Sequence, residues 1–437
     1  MKQEFPEMVG FEGSFWQGGT QSLLEEGDAM TGMIKASPNA IRTLNNVPAS
    51  FRIACLALLN TQHGTLEFRL PDGRQLLFKN SQPGPHAVIS VHDFNFVKRA
   101  MAGGDVGFAE AYMDGEWSTP DLTEVLRFFS ANFEATGKLA VGGAVVRWVN
   151  MVRHVFSSRN TREGAKKNIE AHYDLGNDFY SLWLDPSMTY SSAVFENPNM
   201  TLEQGQQAKY RNICDRIGAG PTSEILEIGC GWGGFAEFAA KQRGSKVTCL
   251  TISPSQRDYA MQRMQREGLN ERVEIRLEDY RDHAGKYDGV ASIEMFEAVG
   301  ESYWPSYFAK IFETLKDGGK AALQIITIDD DLFPRYRKRV DFIQRHIFPG
   351  GMLPSEKALK EQFHLAGLRH DSVTYFGQDY ARTCREWSRA FNDAWEQISK
   401  LGFDEPFRRM WNFYLAYCEA GFSDARINVG QFQLSKA

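Results

Sequence analysis

One stretch of the chain, from Glu224 to Gly234, constrains the fold more than any other. It reads Glu-Ile-Leu-Glu-Ile-Gly-Cys-Gly-Trp-Gly-Gly, an apolar run that ends in an acidic residue and alternating glycines. Because Gly229, Gly231 and Gly233 lack a β-carbon, the backbone can turn sharply there and approach a ligand closely. The pattern predicts a strand, a tight turn and a helix start, an arrangement that can cradle a nucleotide cofactor.

The glycine turn alone does not separate a dinucleotide site from an S-adenosylmethionine site or from an ordinary tight turn. In a nicotinamide enzyme the next strand, predicted at Lys246–Ile252, would end in an acidic residue for the ribose hydroxyls. Here it ends in Thr251 and Ser253. The strand after it, Val273–Leu277, leads into Glu278–Asp282, which offers a carboxylate and an aromatic ring to an adenine. These features favour an adenosine ligand without a pyrophosphate.

Alternation of strands and helices continues downstream and predicts an α/β fold. Near-continuous apolar strands imply a parallel sheet that is covered on both faces, with ligands bound beyond the carboxyl ends of its strands. The further elements predicted are strands at Tyr287–Ile293, Ala321–Ile328 and Ile427–Leu434, and a helix that contains Tyr307 and Leu315 and closes at Gly318–Gly319.

The first 130 or so residues predict a separate, small α+β unit. Alternating apolar positions in Gly64–Leu70 and Gln75–Lys79 flank the turn Pro71-Asp-Gly73, which is a hairpin signature. Another strand is predicted at Ala87–Val91, and helices are predicted at Asn95–Ala102 and Asp121–Phe129. These residues show no chemistry of their own, so a purely stabilising role is one interpretation.

Composition limits the classes of function. A chain of 437 residues with 43% hydrophobic content can form two cores. Six dispersed cysteines without metal-ligand spacing predict a reduced, intracellular protein, and the nine histidines predict no metal site either. The amino terminus has no basic-then-apolar signal and no apolar run is long enough to span a bilayer, so we expect any contact with lipid to be peripheral. A net charge of −6 argues against nucleic-acid binding.

Several separated motifs, in order along nearly the whole chain, resemble one family. This is the cyclopropane-fatty-acyl-phospholipid synthases, S-adenosylmethionine-dependent enzymes that modify double bonds in membrane lipids and that include mycolic acid cyclopropane synthases and fatty acyl C-methyltransferases. Besides the glycine turn, the motifs are His172–Tyr180, Met188–Ala193, Leu277–Asp282, Met295–Gly300, Ile347–Ser355 and Phe376–Tyr380. Several motifs in order are more specific than any single glycine turn.

The resemblance implies an architecture and a cofactor site. It implies a Rossmann-like class I methyltransferase sheet, seven-stranded and mostly parallel, with a smaller α+β N-terminal domain. The expected divisions are an accessory or lipid-engaging domain at 1–135, a basic linker helix at 136–168 and the catalytic domain at 169–437. By similarity, the residues that line the S-adenosylmethionine site are Tyr190, Ser191, Gly229, Gly231, Gly233, Thr251, Gln256, Asp279 and Tyr280.

The chain departs from the family at the reaction centre. The family holds a bicarbonate ion as base, with a cysteine, a glutamate, a histidine and a tyrosine. At the matching positions this chain keeps Glu297 and Tyr380 but presents Ser192 for the cysteine and Gln324 for the histidine. Neutral drift within a working cyclopropane synthase is one explanation. The other is that the changed site shifts proton removal toward the acyl chain and yields a methyl-branched alkene.

Three further segments suggest contact with lipid. The basic, tryptophan-bearing segment 139–167 predicts either a helix at an anionic membrane surface or a buried interdomain helix. The cluster Arg335–Arg339 with Arg345 predicts a phosphate-headgroup site or a solvated helix face. The carboxyl-terminal rings predict the walls of an acyl tunnel or an ordinary core, and they are Trp387, Phe391, Trp395, Phe407, Trp411, Phe413, Tyr414 and Tyr417.

Together these features predict a C-methyltransferase that alkylates the double bond of unsaturated phospholipid acyl chains through a carbocation. The expected cofactor is S-adenosylmethionine, with bicarbonate in doubt because of Ser192 and Gln324. The protein would be cytoplasmic and bound peripherally to the inner face of an anionic membrane. The resemblance allows a homodimer, because the family's N-terminal portion is associated with lipid engagement or with pairing of subunits. Two alternatives stay open: a methyltransferase of a soluble small molecule, and a non-catalytic lipid-binding homologue.

Overall fold

The computed structural model describes residues 32–136 and 175–436, which form two β-sheets with helices packed around them. The basic segment 139–167 and the start of the His172–Tyr180 motif lie outside these ranges. Within the described ranges, no helix combines the length and the apolar character that a membrane span requires.

The smaller sheet is formed by residues before 120, in the order β1-β3-β2-β4-β5. The predicted hairpin is present, because β2 and β3 pair in antiparallel register with Leu66 opposite Phe78. Strand β4 begins earlier than predicted, and two short edge strands were not predicted. The strands are β1 (Met33–Lys35), β2 (His63–Arg69), β3 (Gln75–Lys79), β4 (Gln82–Val91) and β5 (Trp117–Ser118). The helices are Pro38–Thr43, Ala49–Leu58, Asn95–Met113, Leu122–Ala131 and Phe133–Thr136.

The larger sheet has seven strands in the order β11-β12-β10-β9-β6-β7-β8, which confirms the predicted α/β class I methyltransferase fold. Strands β6 to β10 pair in parallel, and β12 is antiparallel to both β10 and β11. The strands are β6 (Glu224–Ile228), β7 (Lys246–Thr251), β8 (Val273–Leu277), β9 (Tyr287–Ile293), β10 (Leu315–Ile328), β11 (Leu368–Tyr375) and β12 (Ile427–Lys436).

Helices cover both faces of the larger sheet. They are Asn177–Ser181, Leu202–Ile217, Gly234–Arg243, Pro254–Arg266, Trp304–Thr314, Phe333–Tyr336, Phe342–His346, Glu356–Leu365, Gly377–Asp393, Trp395–Lys400 and Glu405–Ser423, with 3-10 turns at Phe296–Ala298 and Glu301–Tyr303. Local caps explain where several begin. Thr201 forms a capping box with Gln204, and Ser253 accepts from the backbone of Gln256 ahead of Pro254.

The predicted carboxyl end of the helix that contains Tyr307 was wrong. The helix that contains Tyr307 ends at Thr314, and Leu315 already belongs to β10. Gly318 and Gly319 therefore do not close the helix; they lie where the register of β10 against β9 shifts. Strand β11 was not predicted at all. It is an edge strand with several exposed positions, so its apolar pattern is weak.

The topology places a crevice at the end of β6. From β6 the chain moves outward to β7 and β8, then returns to pair β9 on the opposite side of β6. Such a reversal of strand order is where open α/β sheets bind ligands, beyond the carboxyl ends of the strands. The glycine turn follows β6 directly and so lies at this crevice.

The two sheets are joined by a shared hydrophobic core. Phe51 and Phe128 of the N-terminal unit belong to the same buried cluster as Trp183 and Trp411. Polar contacts reinforce the junction, since an Arg409 Nη donates to the Trp117 carbonyl at 2.8 Å and Arg127 pairs with Asp424 at 2.9 Å. The N-terminal unit is thus held firmly against the residues around the crevice.

Candidate functional site

The turn after β6 has the backbone geometry that its glycines predict. Gly229 has a φ of 83°, and a β-carbon there would lie 2.6 Å from the Met295 side chain. Gly231 has a φ of 50° with open space beside it. Both residues line a large cavity, but Gly233 does not. Its role is in packing, because a β-carbon at Gly233 would meet Met264 at 3.1 Å.

The strand ends beside the turn supply the predicted polar groups. At the end of β7, Thr251 donates its hydroxyl to the Gln256 side chain at 3.1 Å, and both residues are buried at the cavity wall. After β8, Asp279 lies at the wall with its carboxylate paired to Arg281 at 2.5 Å. Burial raises the pKa of the neighbouring Tyr280 to about 12, so its ring stays neutral. Hydroxyl, amide, carboxylate and ring together suit the ribose and adenine of a nucleoside.

Tyr190 and Ser191 reach the same cavity from the loop after Met188. The Tyr190 hydroxyl donates to the Tyr414 hydroxyl at 2.7 Å. The Ser191 hydroxyl accepts from the ammonium of Lys209 at 2.5 Å. All nine residues that the sequence assigns to the cofactor are therefore near one crevice, and eight of them line it.

Two buried charged residues of this crevice were missed by sequence reasoning. Lys209 is fully buried, and burial lowers its pKa to about 7 against the opposing effect of Glu294, Asp185 and Glu227. Burial likewise raises the pKa of Glu227 to about 7. Both line the cavity. Glu227 had a visible signal, because it is the acidic residue near the end of the apolar strand β6, whereas Lys209 looks like any helix lysine in the sequence.

The residues predicted for the reaction centre are arranged around one that the sequence did not single out, Glu294. Its Oε1 accepts from the Ser192 backbone N–H at 2.9 Å and from Gln324 Nε2 at 2.8 Å. Its Oε2 accepts from the Tyr380 hydroxyl at 2.6 Å. Burial and the nearby Glu294 charge raise the Tyr380 pKa well above its usual range, so the phenol remains a donor. Three of the four predicted catalytic residues therefore converge on one carboxylate.

The fourth, Glu297, lies on the 3-10 turn just beyond Glu294 and also lines the cavity. Its Oε1 accepts from the Ile326 backbone N–H at 2.6 Å, and its buried Oε2 has no hydrogen-bond partner among the described residues. Burial, and then repulsion from Glu294, raise its pKa to about 8. Glu297 is consequently a neutral carboxyl at neutral pH, able to donate a hydrogen bond into the cavity.

Ser192 and Gln324 do not reach the cavity. They are 0% and 1% exposed, and neither belongs to the cavity wall. The Ser192 hydroxyl donates back to the Ala193 carbonyl at 2.9 Å. Gln324 is fixed from behind by Gln431 Nε2 at 3.1 Å. Both donate hydrogen bonds to Glu294, which does line the cavity, so their predicted role at the reacting atoms stays a prediction.

The cavity has a volume of about 1680 Å³ and extends well beyond the cofactor turn. It passes Glu294, Glu297 and Tyr380 and continues into the core of the N-terminal unit. The wall there is mainly apolar, with Asp105, Ser130 and Thr136 as its polar residues. The apolar residues include Phe51, Ala54, Cys55, Leu58, Phe68, Ile89, Phe96, Val97, Phe108, Leu126 and Phe129. The basic cluster Arg335–Arg339 also borders the cavity. The volume exceeds the roughly 300–1,000 Å³ of a typical small-molecule pocket, so the cavity is larger than one such ligand requires.

The predicted tunnel of carboxyl-terminal rings is only partly present. Phe413, Tyr414 and Tyr417 line the cavity. The others lie in the core around Phe179 and Trp183, which explains their density without a ligand: Trp387, Phe391, Trp395, Phe407 and Trp411. The apolar space instead lies in the N-terminal unit.

The seven-stranded sheet with its glycine turn defines the class: an S-adenosylmethionine-dependent methyltransferase. The sequence model of the family described as mycolic acid cyclopropane synthetase matches residues 160–432. The chain belongs to this family, as the resemblance predicted.

Curated relatives agree with the family. A tuberculostearic acid methyltransferase of Mycobacterium tuberculosis, UfaA1, is 39% identical over 348 residues, which cover 77% of this chain and 80% of the relative. The cyclopropane-fatty-acyl-phospholipid synthase of Escherichia coli is 34% identical over 363 residues, covering 80% and 88%. The solved structure of mycolic acid cyclopropane synthase CmaA1 with SAH and CTAB is 31% identical, with a TM-score of 0.59, and covers 62% of this chain and 98% of that chain. These relatives modify lipids, and this chain is a methyltransferase of the same type.

Proposed function

We propose that this enzyme methylates the double bond of an unsaturated acyl chain carried by a membrane phospholipid. The observation that carries the proposal is the single cavity that joins the glycine turn, the carboxylates Glu294 and Glu297, and an apolar arm inside the N-terminal unit. An alkene with a long chain on each side requires such a shape. A soluble polar substrate would leave the apolar arm unused.

The cofactor residues fit S-adenosylmethionine. Thr251 with Gln256 would hold the ribose, Asp279 with Tyr280 the adenine, and the backbone of Gly229 and its neighbours the thioether region. When bound, this cofactor supplies an electrophilic methyl group on a sulfonium. Lys209 and Glu227 add a buried cation and a buried acid at the same wall, which suits a ligand that carries a zwitterionic amino-acid group.

The remaining site residues suit a reaction through a carbocation. An isolated alkene is a weak nucleophile, so its methylation leaves positive charge on the acyl chain. Charge of this kind is stabilised by aromatic faces and by fixed anionic groups in a dry site. Tyr190 supplies an aromatic ring and Glu294 a carboxylate, both at the cavity wall.

The outcome depends on which proton the cation loses. Loss from the new methyl group closes a cyclopropane ring, whereas loss from a neighbouring chain carbon gives a methyl-branched alkene. Among the relatives, one name specifies a methyltransferase and another a cyclopropane synthase. We infer the branched product, because Ser192 and Gln324 stand in place of the family's cysteine and histidine and hold Glu294, which faces the cavity.

The lipid's phosphate is proposed to bind near Arg335–Arg339, which border the cavity. Arg335 stacks on Phe133 at 4.4 Å and Arg337 pairs with Glu301, so part of the cluster also stabilises the fold. Headgroup binding there would place the enzyme at an anionic membrane surface, on its cytoplasmic side. Salt should then weaken binding to vesicles, because such attraction is screened within about 8 Å at physiological ionic strength.

The test is turnover with purified protein, S-adenosylmethionine and vesicles of unsaturated phospholipid. Proton magnetic resonance of the extracted lipids distinguishes upfield cyclopropane protons from a branched alkene, which mass alone cannot do because the two products share a formula. Vesicles of fully saturated phospholipid are the control. Methyl transfer only to soluble acceptors would favour the small-molecule alternative. Binding of S-adenosylhomocysteine without any turnover would favour a lipid-binding homologue.

A further inference from the structure

We propose that the carboxylate of Glu294 is the base of the reaction and takes the place of the bicarbonate ion that the family uses. This inference rests on the proposed function. It starts from a disagreement between the resemblance and the geometry. The side chains and backbone groups that should hold a bicarbonate are present, but they already hold a carboxylate that belongs to the chain.

The hydrogen bonds around Glu294 are those of a bound anion. Ser192 N–H, Gln324 Nε2 and the Tyr380 hydroxyl all donate to it, at 2.9, 2.8 and 2.6 Å. These are the positions, apart from Glu297, that the resemblance assigns to bicarbonate. Each carboxylate oxygen can accept about two hydrogen bonds. Oε1 therefore has its two from the described residues, while Oε2 has one and keeps room for another.

The backbone directs Glu294 into this position. It is one of four non-glycine residues with a positive φ among the described residues, at 49°. Side chains other than glycine rarely adopt this conformation, and such strain concentrates at functional sites. Glu294 is also tied to Gln324 twice, because its own N–H donates to the Gln324 carbonyl at 2.9 Å. The arrangement fixes the carboxylate on the cavity wall, in front of Ser192 and Gln324.

The charges around Glu294 favour a single anion at this site. Lys209 lies within electrostatic reach of Glu294 and contributes positive charge when protonated. The Ser191 hydroxyl accepts hydrogen bonds from both Lys209 and Gln324, and Gln324 in turn donates to Glu294. Glu297, whose pKa is about 8, is neutral at neutral pH. A free bicarbonate beside Glu294 would add a second negative charge in a buried site, and like charges there repel strongly. The structure therefore favours the resident carboxylate over an added ion.

The step balances with the alkene and the methyl donor of the proposed function, S-adenosylmethionine, and needs no bicarbonate. The alkene's π electrons form the new carbon–carbon bond to the methyl group, and the sulfonium leaves as a neutral thioether. The resulting acyl carbocation then loses one proton to the Glu294 carboxylate. The electrons of that C–H bond either close the ring or form the new double bond. Glu294 becomes a neutral carboxyl and returns its proton to water after the product leaves.

The experiment compares carbonate-free buffer with the same buffer plus bicarbonate, using phospholipid vesicles and following release of S-adenosylhomocysteine. The wild-type enzyme should turn over equally, within about twofold, in both. Glu294→Gly, in which glycine suits the positive φ, should lose at least about 100-fold in carbonate-free buffer. Added bicarbonate or acetate should restore it at least tenfold. Glu294→Gln fills the same space without a base, so it should be equally slow and should not be rescued.

Binding of S-adenosylhomocysteine by calorimetry, unchanged within about threefold, shows that each variant is folded. Wild-type turnover that requires bicarbonate would overturn the inference and leave the proposed function standing. Full activity in Glu294→Gln, or a Glu294→Gly enzyme that no added anion restores, would overturn it as well. Absence of wild-type turnover on any lipid would instead remove the proposed function and this inference together.

Discussion

Glu297 offers a quantitative test of how the reaction centre is built. The variant Glu297→Gln replaces a buried carboxyl with a neutral group of the same shape. In the folded protein the pKa of Glu297 is about 8, against an ordinary value of 4.5, because burial disfavours the charged form and Glu294 repels it. A group whose pKa rises on folding binds its proton more tightly in the native state. Its ionisation therefore destabilises the fold progressively as pH rises from about 4.5 to about 8.

The size of the effect follows from these values. pH 7 lies about 2.5 pH units above 4.5, and each unit corresponds to 1.36 kcal/mol. Ionisation of Glu297 therefore lowers the free energy of unfolding of the wild-type protein by about 3 kcal/mol between pH 4.5 and pH 7. The glutamine variant has no such titration. It should be more stable than the wild type by about 3 kcal/mol at pH 7, and by more at pH 8. The gap should close near pH 4.5.

Urea unfolding of both proteins at pH 5, 6, 7 and 8 measures the gap directly. Glu361→Gln is the matched control, since Glu361 is an exposed glutamate on a helix, and its substitution should change the free energy of unfolding by less than about 0.5 kcal/mol at every pH. A constant difference between Glu297→Gln and the wild type across the range would refute the reasoning. So would a variant less stable than the wild type at pH 8.

Three further predictions concern the cavity. Tyr380→Phe removes the hydroxyl that donates to the Glu294 carboxylate at 2.6 Å, so turnover should fall about tenfold or more while the affinity for S-adenosylhomocysteine stays within threefold. A large loss of that affinity would contradict the prediction. Gly229→Ala places a β-carbon 2.6 Å from the Met295 side chain at a φ of 83°, so it should weaken S-adenosylhomocysteine binding at least tenfold. The control Gly73→Ala is equally strained, at a φ of 88°, but its β-carbon meets nothing within 4 Å, so it should lower only the melting temperature. Cys55→Trp should fill the apolar arm and shift the preference of turnover to shorter acyl chains in a series of chain lengths, whereas Ile53→Trp, on the exposed face of the same helix, should not. Equal dependence of turnover on chain length in the two variants would argue against acyl binding in this arm.

The sequence predicted much of the larger sheet because its signals are local. Apolar runs of five to eight residues, each followed by a turn or a helical pattern, are visible within a short window. Strand β11 and the register shift in β10 were missed since both depend on partners far along the chain. The same holds for the apolar arm of the cavity, which the sequence placed among the carboxyl-terminal rings and which lies mainly in the N-terminal unit.

The amino-acid sequence by itself determined the family and the glycine turn, because each motif keeps its residues within a few positions of one another. The cofactor residues that it assigns stay a prediction. Only the tertiary structure decided what meets at the reaction centre. Glu294 contacts residues 102, 30 and 86 positions away in the chain, at Ser192, Gln324 and Tyr380. No local pattern encodes those distances. They are set by the order of the strands and by a single positive φ, which together place one carboxylate in front of the residues that the sequence had singled out.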